Sequence, residues 1–301
     1  MRRKLPNLLL LGAQKSASTY LSSWLSKHPD IYVQSKEDRS FEDPEFGTFQ
    51  INQIERIINE KIYGIRRPDY LCSDTYQERL SKFLPHSKII IILRNPIYRA
   101  FSAYYHYMKY GIIPAKHPEF ILKIIKGDYN NKIKAYTNIL DYGLYYKHLL
   151  RLENRFSRDQ IYVIKQEDIL DTKNNAQFLQ ICRFLEIEPL AVPRPLGRPQ
   201  ESLYDYRRLK YRAIYLPLRY SYDASRSKSY SQKYTSLPLL NRIWISACKR
   251  IEKVLFRDNR SKDQIPNEIY DSLMKYYLED IYNLQKYLDL DLSDWHTPKG
   301  K

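Results

Sequence analysis

Two short segments of this chain combine cationic and hydroxyl side chains in spacings that suit the binding of phosphate-like groups. Residues 12–19 contain one lysine, small residues and three hydroxyl side chains, and residues 94–102 begin with Arg94 and end with Ser102. Backbone N–H groups at small residues can approach an anion closely, and arginine pairs with a terminal phosphate through two hydrogen bonds. These residues predict a ligand that carries more than one phosphate-like group.

Each segment follows an apolar run that is typical of a buried parallel strand. Residues 8–11 precede the first segment and residues 89–93 precede the second. Leu21, Trp24 and Leu25 then fall at helical spacing, and Asn95-Pro96 suits the start of a second helix. We therefore expect an α/β fold, a P-loop-type parallel sheet sandwiched by helices, with helical insertions and a C-terminal helical segment. Both segments would lie at the carboxyl edge of that sheet.

The first segment differs from the phosphate loop of ATP and GTP hydrolases. That loop reads G-x-x-x-x-G-K-[ST], whereas here Lys15 follows Gly12 by three residues and the late glycine is missing. Arg94 stands where a magnesium-holding aspartate would be expected. The sequence therefore predicts phosphate binding without a metal.

The two segments together resemble the cofactor motifs of sulfotransferases. Residues 12–21 are similar to their 5′-phosphosulfate loop, and residues 94–104 are similar to their 3′-phosphate motif. The resemblance continues through residues 143–149, 156–169, 184–187 and 289–295. It implies one sulfotransferase domain over residues 1–301, with residues 190–235 forming a lid or an acceptor or cofactor loop.

The resemblance implies the cofactor 3′-phosphoadenosine 5′-phosphosulfate (PAPS), with 3′-phosphoadenosine 5′-phosphate (PAP) as the product. The residues that it assigns to cofactor binding are Gly12, Ala13, Gln14, Lys15, Ser16, Ala17, Ser18, Thr19, Arg94 and Ser102. The family commonly has glycine where this chain has Ala17. Because alanine is also small, we expect an altered affinity for the cofactor rather than its loss.

The catalytic roles also follow from the resemblance. Lys15 would neutralise charge on the leaving oxygen, and Glu37 would remove the proton of the acceptor. Lys36-Glu37 follows a predicted strand at Ile31–Val33 and matches a dipeptide of carbohydrate-type sulfotransferases. The His-Phe-Phe that usually follows this dipeptide is absent. The alternative base is His106, on the helix that contains Ser102.

The net charge and the tyrosine and cysteine content indicate which ligands and which cellular location to expect. The net charge of +16 suits an anionic cofactor and a small-molecule or carbohydrate acceptor that is itself acidic. A small-molecule kinase and a basic, tyrosine-rich nucleic-acid-binding protein are the alternatives, although we expect no nucleic acid because no module signature accompanies the 29 tyrosines. The three cysteines match no metal spacing and predict reduced thiols in a cytoplasmic protein without a transmembrane segment. The acceptor and the oligomeric state stay open.

The remaining segments give weaker patterns. We expect a strand at residues 160–165, a strand at residues 70–73, a helical patch over residues 51–58 and a helical insertion over residues 111–142. Residues 243–255 and 269–288 predict amphipathic helices that cover the sheet.

Overall fold

The computed structural model describes residues 3–43, 45–171, 176–190, 205–226, 228–256 and 264–297. The chain forms two compact units, the first made of Met1–Asn95 and Tyr145–Glu201 and the second of Pro96–Leu144 and Ser202–Lys301. The single domain over residues 1–301 stays a prediction. Among the described residues, no helix is long and apolar enough to cross a membrane.

The first unit is built around a parallel sheet. Its strands are β1 (Arg3–Lys4), β2 (Leu8–Leu10), β3 (Ile31–Val33), β4 (Arg56–Ile57), β5 (Ile62–Arg66), β6 (Lys88–Leu93) and β7 (Ile161–Lys165). Its helices are α1 (Ser18–Leu25), α2 (Thr48–Ile54), α3 (Asp74–Phe83), α7 (Tyr145–Glu153), α8 (Gln166–Leu170) and α9 (Ala176–Leu185). The strand order is β3-β5-β2-β6-β7 with every pair parallel, and β1 pairs separately with β4 in the antiparallel sense.

The central strand is buried on both faces, as its continuous apolar sequence predicts. Leu8, Leu9 and Leu10 are at most 2% exposed. On one face the core includes α1 and α9, where the rings of Trp24 and Phe178 lie 4.8 Å apart. The predicted α/β fold, with a parallel sheet flanked by helices, is therefore confirmed, and the carboxyl ends of neighbouring strands meet at one edge.

The sequence-based prediction was wrong at one strand of this sheet. Residues 70–73 are not a strand, because Pro68–Cys72 forms a short 3-10 helix. The strand lies just before it, at β5, between β3 and β2. The strand ends at Arg66, two residues before Pro68, and its five residues around Gly64 gave too weak a pattern to be recognised.

The second unit is mainly helical. Its helices are α4 (Pro96–Lys109), α5 (Phe120–Ile125), α6 (Lys134–Asp141), α10 (Tyr206–Arg212), α11 (Leu239–Leu255) and α12 (Asn267–Leu288), and its strands β8 (Tyr220–Tyr222) and β9 (Ser229–Ser231) form a hairpin. Within this unit α4 packs against α6, α10 and α12, and α11 packs against α10. The two long C-terminal helices are thus confirmed as helices, while their placement over the sheet stays a prediction. Of the predicted lid at 190–235, residues 191–204 and 227 lie outside the described part of the chain.

Candidate active site

The loop after β2 depends on backbone shapes that few residues adopt easily. Gly12 has a φ of +152°, and a Cβ atom placed there would lie 2.8 Å from Leu71 Cδ2. Lys15 and Ala17 are left-handed, with φ values of 69° and 68°. A side chain in that region costs roughly 1–2 kcal/mol, which glycine would avoid. This backbone shape explains physically why glycine suits the position of Ala17.

The loop ends at the N-terminus of α1. Ala17 is the N-cap of this helix and makes no side-chain cap hydrogen bond. The first N–H groups of a helix have no intrahelical partner, so this end can receive an anion. Ser18 is buried at the first position, and the buried Ser16 donates its hydroxyl proton to the Ala13 carbonyl, which holds the turn.

Arg94 joins the first segment to the second. It follows β6, the strand next to β2, and its Nη1 donates to the Lys15 carbonyl oxygen at 2.9 Å. Tyr145 donates its hydroxyl proton to the Arg94 carbonyl oxygen at 2.8 Å. Burial and the nearby Arg94 charge lower the pKa of Lys15 to about 8, while Glu37 opposes that shift. Two cations held together in this way favour an anion between them.

Glu37 is held by two buried arginines. Its Oε1 accepts from Arg66 Nη1 at 3.2 Å, and its Oε2 accepts from Arg67 Nη1 at 2.5 Å. The same Arg66 Nη1 lies 3.0 Å from Thr19 Oγ1 on α1. Because each carboxylate oxygen has two lone pairs, one acceptor position on each oxygen is left for a substrate proton. Glu37 is therefore fixed beside the loop, with its side chain 36% exposed.

Arg67 is the centre of a buried charge cluster. Besides Glu37 it contacts Glu42 through Nε and Asp69 through Nη2, the latter at 2.6 Å. Burial acts to lower the pKa of Arg67, but the three carboxylates outweigh it and raise that pKa. Burial raises the pKa of the Asp69 carboxyl. Through Arg67, the cluster links the Glu37 side chain to Glu42 and Asp69 and so restricts its position.

Asp38 directly follows Glu37 and begins the Asp38-Arg39-Ser40 segment that stands where His-Phe-Phe was absent. It is 4% exposed, and its Oδ1 accepts from the Ser40 N–H and the Tyr70 hydroxyl, each at 3.1 Å. Burial raises the pKa of Asp38 despite these hydrogen bonds. Phe41 is fully buried and stacks on Phe46 at 4.6 Å. Hydrogen bonds to Asp38 thus set the backbone path after Glu37.

The structure brings together the loop residues 12–19, Arg94 and Glu37 at the ends of four adjacent strands. Ser102 and His106 are partly exposed on α4 in the second unit, and the His106 ring meets the Tyr110 ring edge-on at 4.8 Å. Their predicted roles, as a cofactor ligand and as the alternative base, stay predictions.

Two arginines that contact Glu37 were not predicted from the sequence. Arg66 and Arg67 were not selected because their strand, β5, was not recognised. The signal was present as the five residues Ile62–Arg66, which end in one arginine and are followed directly by Arg67 and Pro68. Cations at a strand end are the same pattern that identified Arg94.

A parallel sheet whose edge carries a strand–loop–helix turn with two nearby cations defines a class of α/β proteins that can receive an anion at that turn. A family model described as "Sulfotransferase domain" matches residues 5–285, so the chain belongs to the sulfotransferase family and is an enzyme of that class. Among curated relatives, the "Bifunctional heparan sulfate N-deacetylase/N-sulfotransferase 1" of Caenorhabditis elegans is 26% identical over 175 residues, which is 56% of this chain and 20% of that protein. The "Membrane-associated sulfotransferase kil1" of Dictyostelium discoideum is 32% identical over 111 residues, which is 34% of this chain and 23% of that protein.

The matched part therefore spans about a fifth of the length of these relatives. Among solved structures, a sulfotransferase from Alicyclobacillus acidocaldarius is similar to this chain with a TM-score of 0.62 and 20% identity. The match covers 98% of this chain and 100% of that one, which shows the shared fold.

Proposed function

We propose that this chain transfers the sulfuryl group of PAPS to a hydroxyl or amine of a carbohydrate acceptor. The observation that carries the proposal is the hydrogen bond between Arg94 and the Lys15 carbonyl, which joins the two cationic segments beside the start of α1. The names of the heparan sulfate relatives support a carbohydrate acceptor, and the net charge of +16 suits one that is acidic.

The described loop fits an anionic nucleotide. Left-handed residues, an N-cap without a side-chain hydrogen bond and a half-buried lysine would form a cradle for a 5′-phosphosulfate. Arg94 would hold the 3′-phosphate, and the matching role of Ser102 rests on the resemblance of its motif. When bound, PAPS supplies an activated sulfuryl group.

The chain's own residues would then handle charge and protons. Lys15, as an ammonium ion, would stabilise negative charge on the leaving oxygen. Glu37 would accept the proton of the acceptor's hydroxyl or amine. Arg66 and Arg67 orient the Glu37 carboxylate, each through one oxygen.

The test uses the full chain with PAPS and a panel of acceptors. The panel contains a desulfated acidic polysaccharide, the same polysaccharide with its free amines acetylated, a neutral oligosaccharide and a simple phenol, and mass spectrometry detects the added sulfate. We expect sulfate on at least one saccharide and far less with the Lys15→Ala variant. Transfer to the phenol alone would overturn the carbohydrate acceptor, and stabilisation by ATP with magnesium as large as that by PAP would overturn the cofactor.

A further inference from the structure

A cavity of about 480 Å³ lies within the second unit. Six of the eleven described residues that line it are cationic, namely Lys109, Arg208, Arg212, Arg219, Lys249 and Lys253. Glu252 is the one carboxylate in this described lining, which therefore carries a net charge of +5. All the lining residues belong to the second unit, whereas the loop at residues 12–19 belongs to the first. The cavity is thus a concentration of positive charge built from other residues than the candidate active site.

Two helices beside the cavity each bring like charges together. Arg208 and Arg212 lie one turn apart on α10, and Lys249 and Lys253 lie one turn apart on α11. Like charges at positions i and i+4 destabilise a helix. The two helices pack against each other, and both pairs line the same cavity. The folded chain therefore holds a repulsion that an anion in the cavity would relieve.

Glu252 balances only part of this charge. It is 3% exposed, and its Oε1 accepts from Arg208 Nε at 2.5 Å and from Arg212 Nε at 2.7 Å. Its Oε2 accepts from the Tyr215 hydroxyl at 2.7 Å. Burial acts to raise the pKa of Glu252, but these hydrogen bonds outweigh it and lower that pKa. One ionised carboxylate is thus shared by two arginines and fixes both of them.

The same contacts leave hydrogen-bond donors on both arginines. Glu252 occupies only their Nε atoms, and the described residues supply no hydrogen-bond partner for the Nη1 and Nη2 atoms of Arg208 and Arg212. The four remaining N–H donors of each guanidinium form the planar fork that matches the oxygens of a phosphate or sulfate group. Two such forks, held by one buried carboxylate, are a preformed arrangement for an oxyanion.

Two tyrosines support two further cations of the lining. Lys109 Nζ lies 5.6 Å from the centre of the Tyr110 ring, and Arg219 Cζ lies 5.7 Å from the centre of the Tyr220 ring. The two rings meet edge-on, with their centres 5.7 Å apart. A ring attracts a cation without neutralising it. These contacts therefore position Lys109 and Arg219 and leave their full charge to act on a ligand.

We propose that this cavity binds a small molecule that carries several phosphate or sulfate groups. Its volume falls within the roughly 300–1,000 Å³ of ordinary small-molecule sites, so a single inorganic ion would leave most of it to water. Several tetrahedral oxyanions on one compact molecule would match both the net charge and the arginine forks. The proposal goes beyond the proposed function and depends on neither its cofactor nor its acceptor.

Calorimetric titration of the full chain tests this site. The probes are inositol hexakisphosphate and sucrose octasulfate, which present phosphate and sulfate groups on a compact frame. We expect binding of at least one probe, with an affinity that falls as the salt concentration rises. The probe that binds more tightly identifies phosphate or sulfate as the preferred group. Inorganic phosphate should bind far more weakly, because it meets only one part of the lining.

Matched variants locate the bound probe. Lys249→Gln should weaken binding roughly fivefold, whereas Arg250→Gln, at the next position of the same helix but outside the cavity lining, should not. Lys253→Gln and Lys210→Gln form a second pair, of which only Lys253 lines the cavity. All four side chains are exposed, so the variants should fold. Lys15→Ala, in the loop after β2, should leave binding at the cavity unchanged.

Several results would overturn the proposal. One is the absence of probe binding by the folded wild-type chain. Equal losses in Lys249→Gln and Arg250→Gln would show attraction to a basic surface without a site. A loss confined to Lys15→Ala would place the probes at the loop after β2. Inorganic phosphate that binds as tightly as both probes would refute a ligand with several groups. No result requires sulfuryl transfer, so the proposed function is tested separately.

Discussion

Two neighbouring parts of the sheet edge, the loop after β2 and the charge cluster after β3 and β5, hold their charged groups in different ways. After β2, the chain uses small residues and left-handed backbone, with a single lysine. After β3 and β5, it uses side chains, since two buried arginines and three carboxylates hold one another in place. The first part is shaped by the backbone for an anion that comes from outside, whereas the second supplies its own counter-ions. The loop should therefore respond to ligands, and the cluster should mainly hold Glu37 still.

The largest expected effect is at Glu37. Glu37→Gln keeps the size of the side chain but cannot take the acceptor's proton, so turnover should fall roughly 10²–10⁴-fold. The dissociation constant of PAP should hardly change, and calorimetry checks this. Glu45→Gln, an exposed carboxylate nearby in sequence, is the control. Wild-type turnover in Glu37→Gln, together with an inactive His106→Ala, would assign the base to His106.

The second effect concerns the loop. Lys15→Ala removes the charge next to the breaking bond. About 3–4 kcal/mol of transition-state stabilisation should be lost, and the turnover at saturating PAPS should fall accordingly. PAP binding should weaken less, because the charge on the leaving oxygen grows only during transfer. The exposed Lys36→Ala tests whether any lysine at this edge matters. Equal losses in both variants would contradict the role of Lys15.

The third change breaks the cluster itself. Arg67→Gln leaves buried carboxylates without their partner, and removal of one member of a buried pair costs about 3–5 kcal/mol. Denaturant unfolding should show this loss, and Arg39→Gln at an exposed position should not. An unchanged free energy of unfolding would mean that the cluster does not hold the fold around Glu37.

The fourth effect is a pH dependence of PAP binding. The pKa of Lys15 is lowered from 10.5 to about 8, so its ammonium form is lost as pH rises through about 8 in the free enzyme. An anionic ligand favours that ammonium form. PAP affinity should therefore fall above pH 8, by at most about tenfold per pH unit, with proton uptake on binding. Titration calorimetry at several pH values measures it, and a dependence unchanged in Lys15→Ala would refute the assignment.

The smallest effect is at Ala17. Glycine relieves its left-handed strain, so Ala17→Gly should raise the free energy of unfolding by about 1 kcal/mol. The control Ala213→Gly lies at an ordinary helical φ of −54° and should lower stability by about 0.5–1 kcal/mol. A destabilised Ala17→Gly would show that the loop is not strained there.

The same contrast explains what the sequence could predict. The loop after β2 was predictable because small residues and hydroxyls follow an unbroken apolar strand, and local sequence is enough to specify that turn. The Arg66–Arg67 cluster was not, because its carboxylates are contributed by residues 37, 42 and 69 and the short β5 carries a weak pattern. Contacts between segments distant in sequence are decided by tertiary packing, which overrides local propensity. The cytoplasmic location stays a prediction.

Arg94 has a further consequence through its bond to the Lys15 carbonyl. In the proposed roles, the Arg94 guanidinium binds the 3′-phosphate of the nucleotide. It also supports the turn that binds the 5′-phosphosulfate. A nucleotide without the 3′-phosphate would leave the turn in a different state from one that carries it. The enzyme would then select a donor that carries the 3′-phosphate through its turnover rate as well as through its binding affinity, because Arg94 contributes to both.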